Sequence, residues 1–116
     1  MAISGAHVIV YSSDPDADRE FFRDVLRYPH VDAGHGWLIF KLPPAELAVH
    51  PSDSAAEHEL YLMCDDLAQT MTELRAGGVE FDEVTHARWG HVTRFRLPGG
   101  SAVGLYEPLH PRASEL

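Results

Sequence analysis

The chain holds a single cysteine, Cys64, in 116 residues. No intrachain disulfide is possible, so nothing in the sequence asks for an oxidising compartment, and a buried strand thiol is the expectation for Cys64. Basic residues are scarce as well: nine Lys and Arg stand against eighteen Asp and Glu, a formal charge of −9 with the histidines neutral. That balance disfavours nucleic acid and anionic membrane surfaces, favours solubility, and mildly favours cationic ligands through the long-range field. Long apolar runs are missing too. No stretch approaches the ~20 residues that span a bilayer, and MAISGAHVIVY lacks the basic region and apolar run of an export signal, so a cytoplasmic protein is expected. Catalytic motifs are few: there is no GxGxxG, P-loop or GxSxG, and Cys64 has no evident histidine partner. The glycines of LRAGGVEF follow a helix rather than open one, and read as its C-terminal stop. One domain is expected at this length, small enough that a second copy would help bury apolar surface.

What is present is a pattern used twice. HVIVYSSD (7–14) alternates as a strand and runs into DPDADREFFRDVL, where Asp14 can cap, Pro15 suits the first turn and acidic residues favour the helix dipole. Phe21, Phe22, Val25 and Leu26 fall on one helical face. Strand candidates follow around HVDAG, WLIFKL and ELAVH, divided by Gly34, Gly36 and Pro43–Pro44. After the polar linker PSDSAAEH (51–58), ELYLMCDD (59–66) leads into LAQTMTELRA, whose Leu67, Met71 and Leu74 share a face before Gly77–Gly78. Aligning the halves puts Glu59 on His7 and Asp66 on Asp14. FKLPPAELAVHP (40–51) parallels FRLPGGSAVGLYEP (95–108), whose closing strand is expected from Ser101 to Glu107, and Leu47 then stands opposite Gly104. Self-similarity at roughly fifty residues means one β-α-β-β-β unit repeated, about 5–51 and about 58–108, with neither copy able to cover its own apolar face. An α+β fold is expected, its two modules closing around a shared cleft.

HVIVYSSDPDADREFFRDVLRYP, and FFRDVL above all, resembles the opening of the vicinal oxygen chelate superfamily, which includes glyoxalase I, extradiol dioxygenases and bleomycin resistance proteins. ELYLMCDDLAQTMTELRAGGVEF resembles that family's second strand-helix unit, and RFRLPGGSAVGLYEP its closing hairpin. The resemblance implies one domain over 1–116, with two tandem βαβββ modules forming a curved, cup-like mixed sheet, helices on its outer face, and a homodimer. In metal-using members the ligands come from the first and last strands of each module, which carries over to His7, Leu47, Glu59 and Gly104. Leu47 and Gly104 cannot coordinate, and one imidazole with one carboxylate falls short of the three or more protein ligands that catalytic sites of this kind use. A one-residue bulge in ELAVH would turn Glu46 or His50 into the cup and supply a third group. It would do nothing for the last strand, where Val103 and Leu105 flank Gly104 and Glu107 marks the exit. Two readings stand: no cofactor, or a divalent Zn, Ni, Mn or Fe held by His7 and Glu59 with Glu46 or His50.

With His7 facing inward, alternation brings Ile9 and Tyr11 in as well and puts Val8 and Val10 under the helices; Glu59, Tyr61 and Met63 face in, with Leu60 and Leu62 beneath. The helix-facing sets are apolar and the inward sets mixed, as expected of a core face and a pocket face. His7 and Glu59, related by the repeat, are expected to approach each other, as a catalytic proton-transfer dyad, a ligand contact or a polar pair left from an ancestral metal site. Trp89, in HARWGHV, sits where the family often carries Trp-Gly and either walls the pocket or fills core; Tyr61, Tyr106 and Met63 are pocket candidates, and Trp37 and Phe40 packing residues. His30, His35, His58, His86, His91 and His110 show no tight ligand spacing and are expected on the surface. The expected function is metal-independent binding of a small molecule in an aromatic, acidic cup, with Gly104 leaving room beside Tyr106, as in bleomycin resistance proteins that sequester a drug. A lyase, isomerase or dioxygenase using His7 and Glu59 is the alternative, and an accessory dimer with a filled cup the third reading.

Overall fold

The computed structural model describes residues 7–49, 51 and 58–116. Helix α1 (Pro15–Glu20) starts where Asp14 Oδ1 accepts a hydrogen bond from the Ala17 amide at 3.2 Å, and Asp16 and Asp18 place negative charge in its first turn. It widens into a π-helical turn over Phe21–Val25. Consecutive aromatics there serve two clusters. Phe21 is buried against Phe95, ring centroids 5.9 Å apart, while Phe22 meets Tyr28 and Phe40. Strands β1 (His30–Asp32) and β2 (Leu38–Phe40) pair antiparallel, and among the described residues only with each other.

The second module closes as a full β-α-β-β-β unit. Strand β3 (Tyr61–Met63) leads to helix α2 (Leu67–Ala76), then β4 (Thr85–Ala87), β5 (Gly90–Arg96) and β6 (Ala102–Pro108). Asp66 caps α2 by accepting from the Gln69 amide at 3.0 Å, and Gly77 and Gly78 end it, Gly78 in the left-handed region at φ +92°. The sheet order is β3-β6-β5-β4, with β3 parallel to β6 and the other neighbours antiparallel. The fold is therefore α+β, built on an open mixed sheet. Phe95, Val103 and Leu105 are buried on one sheet face, where Leu67 and Met71 of α2 and Phe21 of α1 join them. Both helices thus contribute to a core on the same side.

A polar clasp fastens the first module to the second. The buried Asp18 carboxylate accepts from the Gly99 amide at 2.6 Å, Ser13 Oγ donates to the Gly99 carbonyl, and Ser101 Oγ donates to the Tyr11 carbonyl. Position 99 must be glycine for this approach, because a Cβ there would run into Ser12 Oγ and the Asp18 carboxylate.

Three expected strands come out differently. The segments 7–12 and 46–49 join no ladder among the described residues, and His50 lies outside them. A strand needs a neighbour to pair its N–H and C=O groups, and alternation alone supplies none. The alternating apolar residues of these segments stay uncovered: Ile9 is 67 % exposed, Tyr11 84 %, and Leu47 and Val49 92 % each, although Val10 packs against the core. Val8 is likewise exposed rather than beneath the helices. The closing strand runs Ala102–Pro108; Pro108 stands opposite Gly90 in a non-hydrogen-bonded pair, next to the pair in which Leu109 donates to the Trp89 carbonyl, so its missing N–H costs the ladder no bond. Among the described residues no helix is long and apolar enough to cross a membrane.

Phe95 is the hub of the aromatic core, in ring contact with both Phe21 and Phe81. Phe95→Ala should lower unfolding free energy by about 3–5 kcal/mol in urea titrations followed by far-UV dichroism.

Candidate ligand-binding site

The sheet face opposite the helices is built from two rungs across β3, β6 and β5. One rung is Tyr61–Gly104–Arg94 and the next Met63–Tyr106–Val92. Side chains on a rung share a face, so these six positions point away from the core that Phe95, Val103 and Leu105 occupy. Because Gly104 carries no side chain, its neighbours on the rung meet across it. The Arg94 guanidinium donates to the Tyr61 hydroxyl at 2.6 Å and lies 5.3 Å from the centre of the Tyr61 ring. A Cβ at position 104 would collide with that ring.

Around this contact the face is polar at one end and aromatic at the other. Glu59 forms an ion pair with Arg94 at 3.5 Å, with both side chains substantially exposed. Tyr106 makes edge contacts with the Tyr61 ring at 5.9 Å and the Trp89 ring at 5.5 Å, and its hydroxyl is hydrogen-bonded to His110 Nε2 at 3.3 Å. Trp89 is held in the two-residue turn between β4 and β5, where its carbonyl accepts from the Leu109 amide. Burial pushes the Tyr61 hydroxyl above its ordinary 10.0, Glu59 adds to the rise and the Arg94 charge opposes it. Burial likewise raises Tyr106, assisted by the Glu46 carboxylate. Both phenols therefore stay protonated at neutral pH, able to donate or accept hydrogen bonds.

Six of the residues singled out in the sequence lie on this face or at its rim: Glu59, Tyr61, Met63, Trp89, Gly104 and Tyr106. His7, Ile9 and Tyr11 are exposed in the segment ahead of α1, and among the described residues no hydrogen bond, ion pair or ring contact joins them to the cluster. Glu59 is paired with Arg94 rather than with His7. Glu46, not Leu47, turns toward the body of the protein, where its carboxylate accepts from the Ser114 amide at 3.1 Å. Cys64 is partly buried, with burial raising its thiol pKa, so it is a poor nucleophile. Arg94 was missed by sequence reasoning. The signal was there: Phe95 belongs to the core by its apolar pattern, so Arg94 had to face the other way, opposite Gly104.

The donor set decides how the face would treat a metal. Among the described residues no group of three or more His, Cys, Asp or Glu is placed to hold an ion. Glu59 is neutralised by a guanidinium and the last-strand position is covered by the Tyr61 ring. These residues do not fit a divalent centre of the kind the superfamily uses.

The chain matches no family model and no curated protein by sequence comparison. Solved structures do match. TnmS3, an antibiotic binding protein from Streptomyces sp. CB03234, is 25 % identical with a TM-score of 0.68, over 93 % of this chain and 98 % of that one. Lactoylglutathione lyase from Agrobacterium tumefaciens matches at 20 % identity and TM-score 0.64, over 92 % and 96 % of the two chains. A member of the glyoxalase/bleomycin resistance protein/dioxygenase superfamily from Sphaerobacter thermophilus DSM 20745 matches at 21 % and 0.62, over 92 % and 99 %. The chain has the vicinal oxygen chelate fold. The matches cover 92–93 % of this chain and 96–99 % of the matched chains.

Gly104→Ala should expel the Tyr61 ring and break its bond to Arg94, lowering stability by about 1–3 kcal/mol in urea unfolding. The coupling is specific: in a Tyr61→Ala background the same substitution should cost far less, which a double-mutant cycle measures.

Proposed function

We propose that this chain is a single-domain, metal-independent member of the vicinal oxygen chelate superfamily that binds a small molecule, sequestering a drug or metabolite as a cytoplasmic homodimer. The placement of Arg94 carries the reading. A guanidinium held by Glu59 and the Tyr61 hydroxyl puts positive charge where a metal would need negative ligands, and it converts the face into an aromatic shelf with a polar end. Tyr61, Met63, Trp89 and Tyr106 would stack on a planar ligand, while Arg94 and Glu59 would meet its polar groups. The resemblance to TnmS3, an antibiotic binding protein, supports the same class of ligand.

A second copy completes the proposal. The shelf is open in one chain, and segments 7–11 and 46–49 leave Ile9, Tyr11, Leu47 and Val49 uncovered. Association would bury those residues and wall the shelf, bringing His7, Ile9 and Tyr11 to the ligand.

Trp37→Phe leaves Trp89 as the only tryptophan and hence as a reporter of binding. Titration of that variant with a panel of aromatic antibiotics, bleomycin included, should give a saturable fluorescence change with at least one of them. Tyr106→Ala should weaken that binding at least tenfold, about 1.4 kcal/mol, and sedimentation should show a dimer. Absence of any saturable binding would sink the reading. Dialysis against Ni²⁺, Zn²⁺, Mn²⁺ and Fe²⁺ with elemental analysis tests the rival: one ion per chain abolished by His7→Ala would favour a metal-dependent lyase, isomerase or dioxygenase.

A further inference from the structure

On the helix side of the sheet, away from the aromatic shelf, β4, β5 and β6 carry three titratable residues on a single rung. His86 stands opposite His91, and His91 opposite Glu107. The sequence HARWGH turns back on itself within two residues, so histidines five apart become cross-strand partners. Their Nδ1 atoms lie 2.7 Å apart, with ring centroids 4.7 Å apart and planes at 77°. The pair borders a hollow of about 310 Å³ between the β4–β5 hairpin and the start of α2, floored by Leu67 and Met71. Glu107 belongs to the same hollow, with Oε1 accepting from the Leu67 amide at 2.9 Å.

We propose that His86 and His91 bind one tetragonal transition-metal ion, copper(II) before nickel(II), through their Nδ1 atoms. The separation fits right-angled ligands, which square-planar, tetragonal and octahedral ions share, better than tetrahedral ones, and copper comes first because it binds imidazole nitrogen most tightly of the divalent first-row ions. Two nitrogens bonded at about 2.0 Å and set at a right angle are about 2.8 Å apart, whereas a tetrahedral ion holds them at about 3.3 Å. The observed 2.7 Å matches the first case. A nitrogen–nitrogen hydrogen bond uses one Nδ1 as donor and the other as acceptor; binding shifts the donor ring's proton to Nε2 and frees both Nδ1 lone pairs, with no net proton or electron transferred. The exposed His86 keeps the pair open to solvent, and the Glu107 carboxylate adds negative charge beside the ion. Among the described residues no third ligating side chain converges here, so water fills the remaining positions of the tetragon.

Titrating the full chain with CuCl₂ in a weakly chelating buffer, read by calorimetry and by electron paramagnetic resonance, should find a tightest site of one ion per chain with hyperfine structure from two imidazole nitrogens. His86→Gln and His91→Gln should each weaken that site at least tenfold, while His7→Gln and His30→Gln leave it intact. In the unaltered chain, substoichiometric Cu²⁺ should broaden the His86 and His91 ring resonances before those of any other histidine. Affinity unchanged in the His86→Gln/His91→Gln double variant, or broadening that begins elsewhere, overturns the site. Zinc bound as tightly as copper overturns the tetragonal assignment.

Discussion

The character of the sheet's open face depends on one missing side chain. Gly104 lies between Tyr61 and Arg94 on a single rung, and only a residue without Cβ lets a tyrosine ring lie across it and reach a guanidinium two strands away. The Tyr61–Arg94 contact combines a 2.6 Å hydrogen bond with a cation 5.3 Å from the ring centre. The Arg94–Glu59 pair, longer and substantially exposed, belongs to a class worth between nothing and about 1 kcal/mol. Tyr61 therefore fixes where Arg94 sits, and Glu59 follows. The Tyr61 ring also meets Tyr106 edge-on, which sets the angle of the shelf that continues to Trp89.

The two halves of the chain divide the structural work unequally. The second owns the four-stranded sheet and both of its long strands. The first supplies α1 with its π turn and a small hairpin, and is tied on by polar contacts to Gly99 and Ser101 as well as by apolar packing. Asp18 is central to that arrangement. A buried carboxylate without a partner would be costly, and the Gly99 amide at 2.6 Å pairs Oδ1 while pinning the β5–β6 turn beneath α1; the buried Oδ2 has no hydrogen-bond partner among the described residues. Phe21 then reaches Phe95 from the same helix, so a single element delivers both the polar and the aromatic joint.

Much of the second module was legible in the sequence because its signals are local. Asp66 followed by Leu67, Met71 and Leu74 and closed by Gly77–Gly78 gives α2 to the residue, and the alternation of ELYLM correctly divides Tyr61 and Met63 from Leu60 and Leu62. The first module's flanks read equally well as strands, yet pairing is a non-local property, and among the described residues no strand pairs with residues 7–12 or 46–49. The expected approach of His7 to Glu59 depended on that pairing. Arg94 and the His86–His91 pair were overlooked for a related reason. Neither forms a motif along the chain, and each gains meaning only once register is known, Arg94 from its place opposite Gly104 and His86 from a two-residue turn.

Leu47 and Gly104, equivalent by the repeat, invite a single explanation as twin vacancies in an old ligand set. Their surroundings give them different ones. Gly104 is buried beneath a tyrosine, and its lack of a side chain is required by what covers it. Leu47 is 92 % exposed and touches nothing that demands leucine, so within one chain its apolar surface is a cost without a return. A glycine selected for contact and a leucine left in solvent would be inconsistent with a single-chain cup, because the same face would then be completed in one module and abandoned in the other. They become consistent if the first module's edges are finished by another copy. On that account the two positions answer to separate demands, one for room within the chain for Tyr61 and the other for apolar surface between chains.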